Sequence, residues 1–340
     1  MTSDAGNGSA PGALAARIPD FYLVGHAKCG TTALYEMLNS HPQVFMPEYK
    51  QGAGKEPWFW SRDNPNPQTD GRRDVTYTGR KSESLQQYLR LFEGARPEQR
   101  VGEASTSYLW SKSAAARIAA ARPDAKIIAI IREPSSFLRS LHLQLLQNHH
   151  ESVTDFKTAV ELDGARLENR EIPEHSYWPG ALIYSDRVRY VEQLERYYAV
   201  FPKEQVLVLI YDDWRDDNVG TVQRVLRFLE VDDDIEVEAA RYNPTIGLRS
   251  QRVDTLRRDL MRGDRPILRA VRDVGKTLTT QRMRKRLYYP LITRASFGPP
   301  PPPDESFLLE LRRRYKGEVE ALSEYLGRDL VSLWGYDGID

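Results

Sequence analysis

Three apolar stretches of the sequence have the length and residue types of buried β-strands. They are FYLVG, which ends at Gly25, KIIAIIR (Lys126 to Arg132) and QVLVLIY (Gln205 to Tyr211). The second is apolar without alternation, which is typical of a strand covered on both faces of a parallel sheet. Amphipathic segments of helical periodicity lie between these stretches. The order predicts an α/β fold with a P-loop-like parallel sheet flanked by helices on both faces.

Helical periodicity predicts one helix directly after the first strand, where Leu34, Met37 and Leu38 share a face. The other predicted helices are SSFLRSLHLQLLQ, RVRYVEQLERYYAVF, TVQRVLRFLEV and, near the C-terminus, LLELRRRYKGEVEALSEYLG. We expect residues 1–17 to be a disordered lead-in, because they are small, polar and interrupted by Gly and Pro. Residues 18–340 are expected to form a single domain with a surface insertion at 61–84.

The charge balance limits the partners that the whole chain can bind. The 340 residues include 48 Lys and Arg against 48 Asp and Glu, which argues against a chain-wide binder of nucleic acid or membranes. The single cysteine, Cys29, excludes an internal disulfide and a thiolate metal cage, and it favours a reducing compartment. No run approaches the roughly 18 apolar residues of a membrane span, and no secretion signal is recognisable. We therefore expect a cytoplasmic protein without a transmembrane segment, whose oligomeric state stays open.

One segment departs from this balance. Residues 249–294 contain 14 Arg and Lys against 4 Asp, an excess of 10 positive charges. The segment is either a solvated helical face or a lid-like element that binds an anion. A run of five prolines, Pro299 to Pro303, follows it as a stiff spacer.

The turn between the first strand and its helix reads GHAKCGTT, from Gly25 to Thr32. A glycine-bearing turn at a helix N-terminus presents backbone N–H groups and the positive end of the helix dipole to an anion. The nucleoside triphosphate loop has the pattern GxxxxGK[ST], but here Thr31 occupies the lysine position. The lysine stands three residues earlier, at Lys28, where it suits the leaving group of a transfer reaction.

The segment GHAKCGTTALYEMLNSHP resembles the 5′-phosphosulfate loop of sulfotransferases that use 3′-phosphoadenosine 5′-phosphosulfate (PAPS). The resemblance implies that Lys28 serves the leaving group and, with Cys29, Gly30, Thr31 and Thr32, binds the donor. It also implies the sulfotransferase fold and PAPS as the sulfuryl donor, without a metal. The implied activity is transfer to a hydroxyl or an amine of a small-molecule, glycan or lipid acceptor.

A second motif follows the strand KIIAIIR. Arg132, a proline two residues later and Ser140 eight residues on resemble the 3′-phosphate motif of the same family. Arginine forms two parallel hydrogen bonds with a phosphate group, and a serine hydroxyl adds another. Phe137 departs from the pattern, because many members carry a second arginine there. The family also closes a basic loop over the nucleotide late in the chain, for which Arg249 and Ser250 are the candidates.

The segment KEPWFW, Lys55 to Trp60, resembles the Lys-Glu-x-x-Phe-Phe segment that carries the glutamate base of carbohydrate sulfotransferases of the heparan-sulfate type. Glu56 is therefore the predicted base, which would accept the proton of the acceptor. Glu103, Glu48 and His142 stay open as alternatives. Glu103 lies in VGEASTSYLW, which resembles a family stretch in which a lysine follows the glutamate, whereas this sequence has Ala104.

The remaining expectations concern aromatic residues and rival functions. Trp58, Phe59, Trp60 and Trp178 are candidate walls of the acceptor or adenine site, and the resemblance implies that Tyr184 faces the cofactor. A nucleotide-dependent kinase or NTPase is the alternative function, although it needs a lysine next to Thr32. A noncatalytic anion-binding protein would need neither Lys28 nor Glu56. The acceptor and the choice between O- and N-sulfation stay open.

Overall fold

The computed structural model describes residues 17–47, 55–61, 84–173, 176, 179–234, 247–248 and 297–339. Almost all of the predicted lead-in, most of the insertion at 61–84 and the basic segment at 249–294 lie outside the described residues. The same is true of Glu48, Trp178, Arg249 and Ser250.

Five strands form the central sheet within these ranges. They are β1 (Phe21–Leu23), β2 (Val44–Phe45), β3 (Arg100–Ala104), β4 (Lys126–Ile131) and β5 (Val206–Ile210). Their order across the sheet is β2-β3-β1-β4-β5, and each neighbouring pair is parallel. The chain therefore builds one side of β1 first and then crosses to the other side. A short antiparallel pair, β6 (Gly247–Leu248) and β7 (Phe297–Gly298), lies outside this sheet.

The parallel α/β fold confirms the prediction, and the three predicted strands are β1, β4 and β5. β4 is buried from Ile127 to Ile131, because its neighbours and the flanking helices cover both of its faces. The sequence did not predict β2 and β3. β2 has only two residues, and β3 contains Gly102 and Glu103, two residue types that are depleted in strands.

The helices of the described ranges flank this sheet. They are α1 (Thr31–Asn39), α2 (Leu85–Leu89), α3 (Ala114–Ala121), α4 (Pro134–Gln147), α5 (Phe156–Glu161), α6 (Asp163–Leu167), α7 (Tyr184–Arg187), α8 (Tyr190–Tyr198), α9 (Tyr211–Asp216), α10 (Asn218–Leu229), α11 (Glu305–Leu326) and α12 (Leu330–Leu333). The five predicted helices correspond to α1, α4, α8, α10 and α11. On α1, Leu34, Met37 and Leu38 are buried as their spacing predicts. None of these helices has an apolar stretch that would suffice to span a lipid bilayer.

The turn from β4 into α4 is held by Glu133, which caps the N-terminus of α4. Its carboxylate accepts hydrogen bonds from the backbone N–H groups of Ser135 at 2.9 Å and Ser136 at 2.7 Å. It also accepts one from the hydroxyl of Tyr336 at 2.6 Å. A carboxylate is favourable there because it accepts hydrogen bonds from N–H groups that have no partner within the helix, at the positive end of the helix dipole. The cap fixes the backbone immediately after Arg132.

Close packing of β1 against β3 gives a stability prediction. A Cβ atom on Gly102 would lie 2.1 Å from Cζ of Phe21, so Gly102→Ala overpacks the core. We expect this variant to lose about 1–3 kcal/mol of unfolding free energy. Gly317 is exposed in α11, and an added Cβ there has no neighbour within 4 Å. Gly317→Ala should gain about 0.5–1 kcal/mol, because alanine favours the helix. Urea denaturation measures both, and an unchanged midpoint for Gly102→Ala would contradict the tight contact.

Candidate active site

A cleft of about 200 Å³ lies at the carboxyl ends of the central strands. The chain reverses its direction of strand addition at β1, and open α/β sheets bind ligands where this reversal occurs. The cleft brings together residues from the ends of β1, β3, β4 and β5 that are far apart in the sequence. Its described walls are formed by Ala27, Lys28, Gly30, Thr31, Thr32, Ala33, Glu56, Thr106, Arg132, Gln144, Tyr211 and Trp214.

The loop from Gly25 to Gly30 forms one end of the cleft. A Cβ on Gly25 would lie 2.7 Å from the backbone nitrogen of Ile130, so only glycine lets the loop leave β1 this close to β4. Gly30 has a φ of 85°, and an added Cβ would meet the indole of Trp214 at 2.5 Å. His26 is fixed from α8 by a 2.8 Å contact between its Nε2 and the side-chain oxygen of Gln193.

The N-terminus of α1 opens towards this loop. Its N-cap is Gly30, which has no side chain to accept the first N–H groups, and the first turn contains no acidic residue. The first N–H groups of a helix have no partner within the helix, so they are suited to an anion. The geometry therefore agrees with the predicted phosphate cradle at Gly30, Thr31 and Thr32.

Arg132 enters the cleft from the end of β4 and contacts the loop. Its Nη1 donates a hydrogen bond to the carbonyl oxygen of Lys28 at 3.0 Å, and its Nε donates to Oγ of Ser136 at 3.1 Å. The guanidinium lies over the ring of Tyr211, with Cζ 4.6 Å from the ring centroid. No carboxylate is among these partners, so the guanidinium is available to an anionic ligand.

Lys28 and Arg132 place two cationic side chains on the same cleft. Burial lowers the pKa of Lys28 below its usual range, and the positive charge of Arg132 lowers it further. Neither side chain forms an ion pair with a carboxylate within the described ranges. An anion in the cleft would relieve this repulsion.

Glu56 supplies a carboxylate to the same cleft. Its Oε1 lies 2.8 Å from Nζ of Lys55, and its Oε2 accepts a hydrogen bond from the hydroxyl of Thr106 at 3.2 Å. The backbone N–H of Glu56 donates to the carbonyl oxygen of Ala104 at 2.9 Å, which ties the segment to the end of β3. The structure therefore brings Lys28, Arg132 and Glu56 to one cleft, as the motifs predict.

The other candidate bases that the structure describes are enclosed. Glu103 is fully buried, and both of its oxygens accept hydrogen bonds from hydroxyl groups. His142 is buried on α4, where its ring nitrogens contact the hydroxyl of Tyr184 at 2.9 Å and the carbonyl oxygen of Thr154 at 3.2 Å. Neither residue lines the cleft, so the geometry favours Glu56.

Several other candidates lie in the protein interior. Ser140 is buried two turns into α4 and does not contribute to the described cleft walls, so its role at a 3′-phosphate stays a prediction. Tyr184 is fully buried, and its hydroxyl donates to Glu151 at 3.2 Å. Phe59 is partly buried and packs against the core, where it stacks on Tyr88 with ring centroids 4.4 Å apart.

The indole side chains that follow Glu56 also lie in the interior. Trp58 and Trp60 are 9% and 8% exposed, and neither is among the described cleft residues. The expected wall of the cleft is instead formed by Tyr211 and Trp214.

Sequence reasoning did not single out the four polar or aromatic cleft residues Thr106, Gln144, Tyr211 and Trp214. The position of Tyr211 at the end of the third apolar stretch was a usable signal, since strand ends meet at the binding edge of such sheets. The buried side-chain oxygen of Gln144 has no hydrogen-bond partner among the described residues, which leaves it for a ligand.

These features fit a PAPS-like donor. The cradle at the N-terminus of α1 suits one phosphate, and Arg132 offers a separate cation for a second one. Within the described ranges, no three His, Cys, Asp or Glu side chains are arranged to hold a metal ion, and the metal-free reaction stays a prediction.

The family of the chain follows from a comparison with known proteins. Residues 19–235 match the sulfotransferase family, so the chain belongs to that family. It is 28% identical to carbohydrate sulfotransferase 15 of Mus musculus over 255 residues, which cover 63% of this chain and 44% of that protein. It is 26% identical to heparan sulfate glucosamine 3-O-sulfotransferase 3B1 of Homo sapiens over 231 residues, covering 68% of this chain and 51% of that protein. The matched part is thus about half the length of these relatives.

The fold agrees with this assignment. A sulfotransferase of Alicyclobacillus acidocaldarius superposes with a TM-score of 0.62 at 24% identity, covering 93% of this chain and 98% of that chain. The predicted sulfotransferase fold is therefore confirmed.

The environment of Cys29 predicts its reactivity. Burial raises the pKa of this thiol to about 12, so almost no thiolate exists at pH 8. We expect iodoacetamide at pH 8 to leave the native protein unmodified and to alkylate the single cysteine after denaturation in urea. Intact-mass spectrometry gives both results. Rapid alkylation of the native protein would contradict the interior position of Cys29.

Proposed function

We propose that this protein transfers the sulfuryl group of PAPS to a hydroxyl or an amine of a small-molecule, glycan or lipid acceptor. One observation carries the proposal: Lys28 and Arg132 share a cleft with the open N-terminus of α1, and neither cation pairs with a described carboxylate. Family membership supports the same activity. The relatives named above for carbohydrate and heparan sulfate favour a glycan among the acceptors.

Different parts of the cleft would bind the two phosphate groups of the donor. The loop ending at Gly30 and the hydroxyls of Thr31 and Thr32 would bind the 5′-phosphate at the helix N-terminus. Arg132 would bind the 3′-phosphate, with Ser140 as the predicted second contact. This arrangement would favour a bisphosphorylated adenosine over ATP, because ATP has a 3′-hydroxyl and offers Arg132 no negative charge at that position.

In the transfer step, the bond between sulfur and the bridging phosphate oxygen breaks as the acceptor oxygen or nitrogen bonds to sulfur from the opposite side. Lys28 would stabilise the negative charge that develops on the bridging oxygen. Glu56 would accept the proton released by the acceptor. The carboxylate and the lysine line the same cleft, as transfer between a bound donor and a bound acceptor requires.

The kinase or NTPase alternative has less support. Thr31 stands where such a loop carries its lysine, and the cleft residues described include no aspartate to hold Mg²⁺. A cytoplasmic location stays a proposal, supported by a single cysteine that lies buried in the phosphate loop. A contribution of Arg249 to the nucleotide site also stays a proposal.

Binding measurements test the donor assignment. We expect adenosine 3′,5′-bisphosphate to bind more tightly than ATP in isothermal titration calorimetry. Arg132→Ala should weaken the binding of the bisphosphate by roughly tenfold or more, because a charged hydrogen bond to phosphate is lost. Arg170, which is exposed and pairs with Glu168, gives a matched control in Arg170→Ala. Tighter binding of ATP than of the bisphosphate would overturn the proposed donor.

Two substitutions separate the leaving group from acceptor activation. Lys28→Met should lower turnover about 10²–10³-fold, because charge on the bridging oxygen is no longer stabilised. Glu56→Gln should lower turnover about 10²–10⁴-fold through loss of the base, while affinity for the bisphosphate stays unchanged. Mass spectrometry of an acceptor panel detects the transferred sulfuryl group. Near-normal turnover of Glu56→Gln would mean that another residue accepts the proton released by the acceptor.

A further inference from the structure

Glu103 is the centre of a buried hydrogen-bond network next to the cleft. Its side chain is 0% exposed, and it lies on β3 beside Tyr22 of β1. Its Oε1 accepts a hydrogen bond from the hydroxyl of Ser105 at 2.6 Å. Its Oε2 accepts two, from the hydroxyls of Tyr88 and Tyr108, each at 2.8 Å. One carboxylate thus accepts hydrogen bonds from three hydroxyl groups.

The same three hydroxyls accept hydrogen bonds from the segment that carries Glu56. The backbone N–H of Trp58 donates to Oγ of Ser105 at 3.1 Å. The backbone N–H of Trp60 donates to the hydroxyl of Tyr108 at 3.2 Å, and its indole N–H donates to the hydroxyl of Tyr88 at 3.1 Å. Each hydroxyl therefore links the segment to Glu103.

The segment needs such external support because its backbone is unfavourable. Glu56 has a φ of 61° and Trp58 a φ of 52°, and residues other than glycine rarely adopt this left-handed conformation. Such conformations persist where the surrounding contacts enforce them. Trp58 and Trp60 follow Glu56 closely in the chain, so the hydrogen bonds that they donate support this stretch of backbone.

We propose that Glu103 is a positioning residue for sulfuryl transfer: through the hydroxyls of Ser105 and Tyr108 it holds the segment 56–60 so that Glu56 faces the cleft. This inference rests on the proposed function, in which Glu56 accepts the proton. An ionised carboxylate only accepts hydrogen bonds, so all three hydroxyl protons have a partner. A protonated Glu103 brings its own proton to one hydroxyl, which leaves a hydroxyl proton in the core without an acceptor.

The network therefore depends on the protonation of Glu103. Burial raises the pKa of Glu103 to about 7, within the range of enzyme assays. The titratable groups that face it are Tyr22, Tyr88, Tyr108, Tyr197 and Glu56. Burial also raises the pKa of the four tyrosines, so these side chains stay protonated near pH 7. Loss of the Glu103 proton as the pH rises through about 7 completes the accepting network.

Activity and stability should respond to this proton in opposite directions. Positioning by the ionised form predicts that kcat rises as the pH increases through about 7. The raised pKa means that the folded protein binds this proton more tightly than the unfolded chain does. Its contribution to stability is therefore present below the usual glutamate pKa and is lost as the pH rises through about 7. A residue that served only the fold would not raise kcat while Tm falls.

The test compares Glu103→Gln and Ser105→Ala with the parent protein in steady-state kinetics from pH 6 to pH 8.5. We expect both variants to lower kcat roughly tenfold or more while KM for PAPS stays within about twofold, because neither residue lines the donor cleft. The rise of kcat near pH 7 should be absent in Glu103→Gln. Tyr22→Phe is the matched control, since the Tyr22 hydroxyl is buried in the same core but forms none of the hydrogen bonds that link Glu103 to the segment 56–60.

The outcomes separate this inference from the proposed function. If Glu56→Gln is inactive while Glu103→Gln and Ser105→Ala keep the parent kcat and pH profile, Glu103 has no positioning role and the proposed function stands. If the parent protein transfers no sulfuryl group and prefers ATP, the proposed function itself fails. Should Glu103→Gln not fold, an unchanged kcat of Ser105→Ala with a normal Tm is enough to overturn the inference.

Discussion

The geometry of the cleft depends on the contacts of the Arg132 guanidinium. This group donates to the carbonyl oxygen of Lys28 and lies over the ring of Tyr211, while the backbone carbonyl of Arg132 accepts a hydrogen bond from Tyr190 at 2.8 Å. One residue thus connects the ends of β1, β4 and β5 with α8. Lys28 has a φ of 66°, so the hydrogen bond to its carbonyl group also supports an unfavourable backbone conformation.

This geometry carries an electrostatic penalty that an anion removes. Lys28 and Arg132 lie near enough for the arginine to lower the pKa of the lysine, and both are partly withdrawn from water. Two like charges in a partly buried cleft repel each other more strongly than they do in bulk water. Glu56 is the one carboxylate among the described cleft residues, and it already pairs with Lys55. The two cations therefore favour the binding of an anion in this cleft.

The motifs were predictable from the sequence where local spacing determines geometry. Lys28 lies between a strand and a helix, and Arg132 ends an unbroken apolar stretch, so both reach the carboxyl edge of the sheet. Tyr211 and Trp214 reach the same cleft only because β5 is added beside β4, and strand order is not encoded in a short motif. Glu103 was an alternative base, but its partners come from α2 and the loop after β3, so its burial depended on long-range packing.

The C-terminal region supports residues next to the cleft, although it lies beyond the part that matches the family model, which ends at residue 235. α11 packs against α4, and the hydroxyl of Tyr336 reaches Glu133, the residue that fixes the turn after Arg132.

The same region also holds α9, which carries two residues of the cleft wall. Arg328 Nη2 donates to Oδ1 of Asp213 at 2.6 Å, and the indole N–H of Trp334 donates to Oδ2 of Asp212 at 2.8 Å. Asp212 and Asp213 directly precede Trp214, whose indole packs against Gly30 in the phosphate loop. The last 35 or so residues thus support the cleft at two places, since they contact Glu133, which directly follows Arg132, and Asp213, which directly precedes Trp214.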